Sequence, residues 1–365
     1  MLIVVAMSGG VDSSVTAALL REEGHEVVGV TMQIWPDEGL GQQERKGGCC
    51  ALGAVRDARA VAAALDIPYY VFHMRQEFER DVIREFADAY ARGRTPNPCI
   101  ACNQHIKFGA LIDKARRLGA QALATGHYAR REQMPDGSWR LCRASDPRKD
   151  QSYVLYPLRA EDLSFVRFPV GHWPKERTRA KARELRLGVA DKPDSQEICF
   201  VGTEGYAEVV VARHPDAARP GPIVDPDGRV LGQHRGLCHY TVGQRKGLGL
   251  QGPEARFVLS IDAAANALIV GTAADLGCGA VEVGDFHWLV PERPADGHPV
   301  TVKVRAGQGE HPARLNSLPN GGMRLVFDAP VRAATPGQAA VVYDGEVVLG
   351  GGPIDYVHSL AALAR

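Results

Sequence analysis

Leu2-Ile3-Val4-Val5-Ala6-Met7-Ser8-Gly9-Gly10-Val11-Asp12-Ser13-Ser14-Val15-Thr16-Ala17-Ala18-Leu19-Leu20 decides the fold. A short apolar, β-branched run (Leu2 to Met7) meets a Ser-Gly-Gly turn, and an Ala/Leu-rich helical pattern starts directly after it. Two glycines let a backbone come close to a phosphate, the serines add hydroxyl donors, and the helix N-terminus brings a partial positive charge. An anion belongs there. The loop lacks the lysine of the Gly-x-x-x-x-Gly-Lys-Ser/Thr pattern and lacks the spacing of Gly-x-Gly-x-x-Gly. Asp12, a carboxylate beside phosphate positions, calls for a divalent cation, and magnesium is the expectation.

Outward from this loop, strand-like and helical runs alternate: Val15 to Glu23, Glu26 to Met32, Ala54 to Leu65, Tyr69 to His73, Glu77 to Arg92, Ile106 to Leu118 and Gln121 to Thr125. That rhythm predicts an α/β parallel sheet wrapped by helices, with a hairpin at Pro135-Asp136-Gly137. Met32, closing the second strand, should border the crevice where open α/β sheets bind ligands. From Gly221 the texture changes. Turns at Pro226-Asp227-Gly228, Pro319-Asn320-Gly321-Gly322 and Asp344-Gly345 separate short apolar runs, predicting antiparallel β structure. The expected domains are 1–195, a small mainly β connecting domain over 196–276, and a C-terminal β-barrel over 277–365.

With 365 residues, 43 basic and 43 acidic side chains and no net charge, the chain does not read as a uniformly basic nucleic-acid binder. Any RNA must be held by local patches, such as Lys175 to Arg186 or Gln244-Arg245-Lys246, although the first has the spacing of an exposed helix face. No run of 18 apolar residues and no signal-peptide pattern is present, so a cytoplasmic address with no membrane contact is expected. Eight cysteines in such a chain read as buried thiols, metal ligands or catalysts rather than a disulfide set. Cys102, in Thr95-Pro96-Asn97-Pro98-Cys99-Ile100-Ala101-Cys102-Asn103, should sit on a stiff loop near the start of the next helix, where a thiol gains thiolate character. Cys199, in Asp194-Ser195-Gln196-Glu197-Ile198-Cys199-Phe200, should lie on a second loop. Cys142, Cys238 and Cys278 lie in β-like runs and read as buried apolar groups. Cys49 and Cys50 read as loop packing.

The Ser8 to Ser14 segment resembles the PP-loop of the N-type ATP pyrophosphatases, on the adenine nucleotide alpha hydrolase-like fold, which implies cleavage of ATP to AMP and pyrophosphate. Together with the two cysteine segments, Thr125-Gly126-His127-Tyr128, Lys149-Asp150-Gln151-Ser152-Tyr153 and His239 to Gly249, it makes the chain similar to the tRNA-specific 2-thiouridylase family over nearly its whole length. The resemblance implies adenylation of the wobble uridine in tRNAs for lysine, glutamate and glutamine, and sulfur insertion at C2. It implies that Cys199 carries a persulfide and Cys102 is its partner thiol. It places ATP on Ala6, Met7, Ser8, Gly9, Gly10, Val11, Asp12, Ser13, Met32 and Gly126. It places tRNA on Asn97, Pro98, Cys99, His127, Lys149, Asp150, Gln151, Arg305 and Gln338. A cysteine desulfurase or relay protein as sulfur donor, and a monomer, are also implied. Cys99 stands where many relatives have aspartate, so Cys99, Cys102 and Cys199 can alternatively be read as ligands of a [4Fe-4S] cluster. Two further readings share the fold signals: an adenylating amidotransferase or ligase, which needs no reactive cysteine, and a non-enzymatic RNA-binding or iron-storing protein with a vestigial loop.

Overall fold

The computed structural model describes residues 1–34, 52–194, 198–252 and 254–360. Cys49, Cys50 and the 195–197 stretch of the second cysteine segment lie outside the described residues. The chain divides into two compact units: one made of 1–82, 99–202 and 346–348, the other of 83–98, 203–345 and 349–365.

The first unit is built on a five-stranded parallel sheet. Its strands are β1 (Leu2–Ala6), β2 (Glu26–Gln33), β3 (Tyr69–His73), β4 (Ala122–Thr125) and, after a hairpin of β5 (Arg130–Gln133) and β6 (Trp139–Cys142), β7 (Val166–Arg167). The spatial order is β3-β2-β1-β4-β7, and every neighbouring pair is parallel. The chain winds outward from β1 through β3, then resumes on the other side at β4. The order therefore reverses between β1 and β4, whose ends align at Ala6 opposite Thr125. That reversal opens a crevice at the strands' carboxyl ends, the expected ligand position in this architecture.

Helix α1 (Val11–Glu22) follows β1 and buries Val11, Val15 and Ala18 at helical spacing. These pack with Ile3 and Val5 of β1 and with Ala182 and Leu187 from the region of a later helix. Val15 is fully buried, and such a side chain stabilises by roughly 1.5–3 kcal/mol. The helix stops because Gly24 adopts φ +81°, and the amides of Gly24 and His25 return to the carbonyls of Arg21 and Leu20 at 3.0 and 3.1 Å. The wrap is completed by α2 (Leu52–Ala64), α3 (Leu111–Arg117) and α4 (Lys175–Glu184). The Pro135-Asp136-Gly137 turn joins β5 to β6 as expected, with Gly137 at φ +85° and the Ser138 amide donating to Asp136 at 2.9 Å.

Two helical expectations change. Residues 75–91 are not one regular helix but Arg75–Phe78, a wider π turn over Glu79–Arg84, and Glu85–Ala91. The helix carrying Cys102 begins at Pro98, not downstream of the cysteine: Pro98–Ala101 form its first turn and Cys102–Ala110 continue it as a π segment. Proline suits the first helical position, where its missing N–H would have no partner anyway. The prolines that read as a loop stiffener thus include a helix start.

In the second unit, β8 (Gly221–Val224), β9 (Val230–His234), β10 (Phe257–Asp262) and β11 (Ala267–Gly271) make a sheet in the order β10-β11-β8-β9. Its core is Ile223, Tyr240, Val258, Leu268 and Val270. The sheet is not purely antiparallel, because β8 and β11 run parallel. A second, antiparallel array follows: β12 (Gly277–Val283), β13 (His287–Trp288), β14 (His298–Lys303), β15 (His311–Ser317), β16 (Met323–Arg332), β17 (Ala339–Asp344), β18 (Val347–Pro353) and β19 (Tyr356–Ser359). Buried and exposed residues alternate along β15 and the first half of β16, the pattern of strands with one face on a core. Among the described residues, no helix is long and apolar enough to cross a membrane.

Candidate active site

The Ser8 to Ser14 loop lies at the β1/β4 reversal. Gly9 holds φ +66°, and a Cβ there would lie 2.3 Å from the Ala54 carbonyl oxygen, so both its conformation and its space require glycine. Ser13 braces the turn: its Oγ accepts from the Ser8 amide at 3.1 Å and donates to the Gly10 carbonyl at 3.2 Å. Ser14 Oγ donates to the same carbonyl at 2.8 Å. Gly10 caps α1 without any side-chain hydrogen bond, which leaves the first amides of a three-turn helix for an incoming anion. Opposite, a Cβ on Gly126 would meet the Ser13 amide at 2.5 Å, so β4 touches the helix N-terminus only because that side chain is absent. Ala6, Met7, Val11 and Met32 are buried and offer the crevice little beyond backbone and packing. Met7 is itself committed, its carbonyl accepting from Thr31 Oγ1 at 2.7 Å.

Asp12 does not stand alone beside the loop. Lys175 Nζ binds both its oxygens, at 2.6 and 2.7 Å, and the Tyr128 hydroxyl donates to Oδ1 at 2.9 Å. The same ammonium reaches Asp194 at 2.8 Å, and Asp194 also takes Lys149 at 2.9 Å and Arg179 at 3.2 Å. Burial alone would raise the Asp194 carboxyl, but hydrogen bonds from Lys175 and Lys149 hold it below the usual carboxylate range. Burial and the neighbouring Asp12 charge push the Tyr128 phenol upward, so it stays a neutral donor. Lys192 closes the other side, donating to the Gly9 carbonyl at 2.9 Å and pairing with Asp57 at 2.6 Å. Lys175, Asp194 and Lys192 were not among the residues expected at the ATP site; the first was one member of a run read both as a patch for RNA phosphates and as an exposed helix face. The remainder of that run is largely paired within the unit, Lys181 with Glu22 at 2.9 Å and Arg183 with Asp191 at 2.7 Å.

The cysteines divide cleanly. Cys142, Cys238 and Cys278 are buried, and burial pushes the first and last up to about 11. Cys238 sits in a short helical turn over Leu237–His239 rather than in a strand. Cys99 is exposed, and Cys102 and Cys199 are half-buried. Asn103, beside Cys102, is buried and donates to the Val154 carbonyl at 2.9 Å, pinning the cysteine helix to the turn that follows Gln151. Phe200, beside Cys199, is buried edge-on against Phe78 with ring centroids 5.9 Å apart. Among the described residues no group of three His, Cys, Asp or Glu side chains stands close enough to hold a metal ion. Magnesium has a different requirement, one or two carboxylates plus phosphate oxygens, which Asp12 fits because, among the described residues, its Oδ2 takes only Lys175.

A family model described as the tRNA methyl transferase HUP domain matches residues 1–203, one described as the tRNA methyl transferase PRC-barrel domain matches 209–272, and one described as the aminomethyltransferase beta-barrel domain matches 279–354. A tRNA-specific 2-thiouridylase MnmA of Methylobacterium radiotolerans is 49% identical over 370 residues, covering 100% of this chain and 96% of the relative. The namesake of Rhodospirillum centenum is 50% identical, covering 99% and 93%, and that of Chloroflexus aurantiacus 50%, covering 96% and 97%. The chain belongs to the tRNA-specific 2-thiouridylase family. Its fold is accordingly a parallel-sheet nucleotide domain, a small β domain and a C-terminal barrel.

Of the residues that the 2-thiouridylase resemblance assigns to RNA, several have partners inside the protein. Asp150 accepts from the Ala144 amide at 2.9 Å and from Ser152 Oγ at 2.7 Å, and Gln151 Oε1 accepts from the Tyr128 amide at 2.9 Å. His127 Nδ1 lies 2.8 Å from Thr125 Oγ1, and its ring packs against the mutually touching Phe108 and Phe168, with centroids 5.8 and 6.4 Å away. In the second unit, Asn97 and Arg305 are half-buried and Pro98 is buried. Gln338 is buried, and its amide donates to the Thr95 carbonyl at 2.8 Å. The Thr95 amide in turn donates to the Pro336 carbonyl at 2.9 Å. The structure thus places Gln338 on the segment leading into Cys99.

Proposed function

We propose that this chain is an ATP-dependent tRNA-uridine 2-sulfurtransferase that converts the wobble uridine of lysine, glutamate and glutamine tRNAs to 2-thiouridine. The uridine C2 oxygen attacks the α-phosphorus of ATP; an O–P bond forms, the bond to pyrophosphate breaks, and pyrophosphate leaves with the electron pair. The terminal sulfur of a persulfide on Cys199 then attacks C2, and the oxygen departs as AMP. The Cys102 thiolate attacks Cys199 Sγ, breaking its bond to the transferred sulfur and leaving a Cys102–Cys199 disulfide for a thiol reductant to reopen. A base stacked in an anticodon loop cannot present C2, so the uridine is splayed out of the loop. By the family resemblance, Asn97, Pro98, Cys99, His127, Lys149, Asp150, Gln151, Arg305 and Gln338 are the residues that meet the tRNA. Ser8, Gly9, Gly10, Ser13 and Gly126 hold the phosphates. Asp12 would hold a magnesium ion arriving with the nucleotide, and the ion would spread the phosphate charge. A cysteine desulfurase or relay protein supplies the sulfur.

One observation carries this reading. Asp194, five residues before Cys199, is tied through Lys175 to Asp12 in the phosphate loop. Five residues span at most about 18 Å, so the sulfur carrier is leashed to the nucleotide site. The test is release of AMP and pyrophosphate from ATP in the presence of tRNA bearing a wobble uridine, with 2-thiouridine read by mass spectrometry of the digested tRNA. Replacing Cys199 by serine should abolish 2-thiouridine. Unchanged 2-thiouridine from that variant would remove Cys199 as the sulfur carrier, pyrophosphate release with no 2-thiouridine from the unmodified protein would favour a ligase on the same fold, and no pyrophosphate release from the unmodified protein would remove the enzyme reading.

A further inference from the structure

The chain that leads into Cys199 is fastened beside the phosphate loop twice. Asp194 takes Lys175 at 2.8 Å. Two residues earlier, Lys192 sets its ammonium between the Gly9 carbonyl, at 2.9 Å, and Asp57 of α2, at 2.6 Å. Pro193 stands between the two anchors. Its ring fixes its own φ and restricts the residue before it to extended conformations, so a stiff link joins them. A single anchor limits only how far away Cys199 can lie. Two anchors on a stiff link also set the direction in which the chain leaves toward it.

Stability does not account for Lys192. Its side chain is 37% exposed and that of Asp57 33%, and ion pairs so open to water add little. The loop does not depend on it for its shape, because Gly9 already packs closely on Ala54 and the Ser13 and Ser14 hydroxyls brace the Gly10 carbonyl. Nor is it a spare cation for a phosphate, since the Asp57 carboxylate balances it. What it does is join three segments: α2, the phosphate loop and the approach to Cys199.

We propose that Lys192 is a positioning residue for sulfur transfer: it ties the Cys199 segment to the phosphate loop, so that the sulfur is aimed at C2 while the adenylated uridine lasts. Without it the adenylate still forms, but water reaches C2 ahead of the sulfur. The water oxygen bonds to C2, the bond from C2 to the phosphate-bearing oxygen breaks, AMP leaves with the electron pair, a proton goes to solvent, and uridine is restored. ATP is consumed and no sulfur moves. This rests on the adenylation and persulfide readings above.

The test loads Cys199 of Lys192→Met with persulfide, adds tRNA and excess ATP without further donor, and counts AMP and 2-thiouridine. The unmodified protein should form one AMP per 2-thiouridine. In the variant, 2-thiouridine formation should slow by about 10²-fold, the loss expected for a displacement of about 1 Å in a site that works by positioning, while pyrophosphate release slows by less than about tenfold. The ratio of AMP to 2-thiouridine should therefore rise by about tenfold or more, with the KM for ATP unchanged. A lysine that only supported the fold would slow both reactions together and leave the ratio at one, and a lysine that bound nucleotide would raise the KM for ATP. Either result overturns the proposal, as does sulfur transfer at the unmodified rate. If Lys192→Met does not fold, Asp57→Ala leaves the ammonium only its carbonyl partner and should raise the ratio in the same direction; a ratio of one from that folded variant overturns the proposal. No 2-thiouridine from the loaded, unmodified protein would instead overturn the persulfide reading, and no pyrophosphate from it the adenylation reading.

Discussion

Replacing Gly126 by alanine should uncouple the phosphate loop from the sheet that carries it. The added Cβ would lie 2.5 Å from the Ser13 amide nitrogen and 2.7 Å from the Asp12 carbonyl carbon. Restoring an ordinary 3.4 Å contact requires the backbone to move by about 0.9 Å. Both clashing atoms are main chain, so no side-chain rotation relieves them, and the N-terminus of α1 must retreat from β4. Overpacking of this kind costs about 1–3 kcal/mol, to be measured by denaturant unfolding. A displacement near 1 Å in a site that works by positioning costs on the order of 10²-fold in rate. Pyrophosphate release should fall by that factor and ATP affinity should weaken, while persulfide loading of Cys199, which needs no nucleotide, should not change. A Gly126→Ala protein with unaltered stability, nucleotide affinity and rate would refute the claim that this close approach builds the site.

Other outcomes follow from the same geometry. With Cys142 and Cys278 pushed up to about 11, only about one in 10³ of either thiol is ionised at pH 8, so peptide mapping after brief iodoacetamide treatment of the native protein should find Cys99, Cys102 and Cys199 modified far ahead of them. Gln338→Ala leaves the buried Thr95 carbonyl without its 2.8 Å donor; a loss of about 1–3 kcal/mol in stability is expected, with sulfur transfer reduced through the displaced Cys99 segment, and unchanged unfolding would count against the anchor. Asp194 has its folded-state pKa depressed, so its stabilising contribution is complete above the ordinary value of 3.8 and disappears as pH falls through the lower folded value. The stability difference between the unmodified protein and Asp194→Asn should therefore be flat from neutral pH down to roughly 5 and shrink below about 4 in acid titrations.

What the sequence disclosed, and what it withheld, follows separation along the chain. The Ser8 to Ser14 loop and its flanking strand and helix are local, and the alternation from Leu2 to His73 is a periodic signal, so both were legible. The Lys175 contact with Asp12 spans 163 positions and that of Gln338 with Thr95 spans 243, and no local pattern encodes either. Lys175-Glu176-Arg177-Thr178-Arg179-Ala180-Lys181 has the composition of a solvated helix, which hid a buried ammonium at its first position. The start of the Cys102 helix was missed for a subtler reason. Proline stiffens loops and also opens helices, and only the helical backbone over Pro98–Ala101 shows which applies.

The central claim is that nucleotide-activated uridine and a sulfur-bearing Cys199 react in one site, and a single-turnover experiment addresses it most directly. Protein whose Cys199 is loaded with radiolabelled persulfide sulfur, mixed with ATP and tRNA without further donor, should move the label into 2-thiouridine with one AMP formed per sulfur transferred. A Cys102–Cys199 disulfide should accumulate in step. Label that stays on the protein while AMP forms, or that enters tRNA without ATP, would contradict the account.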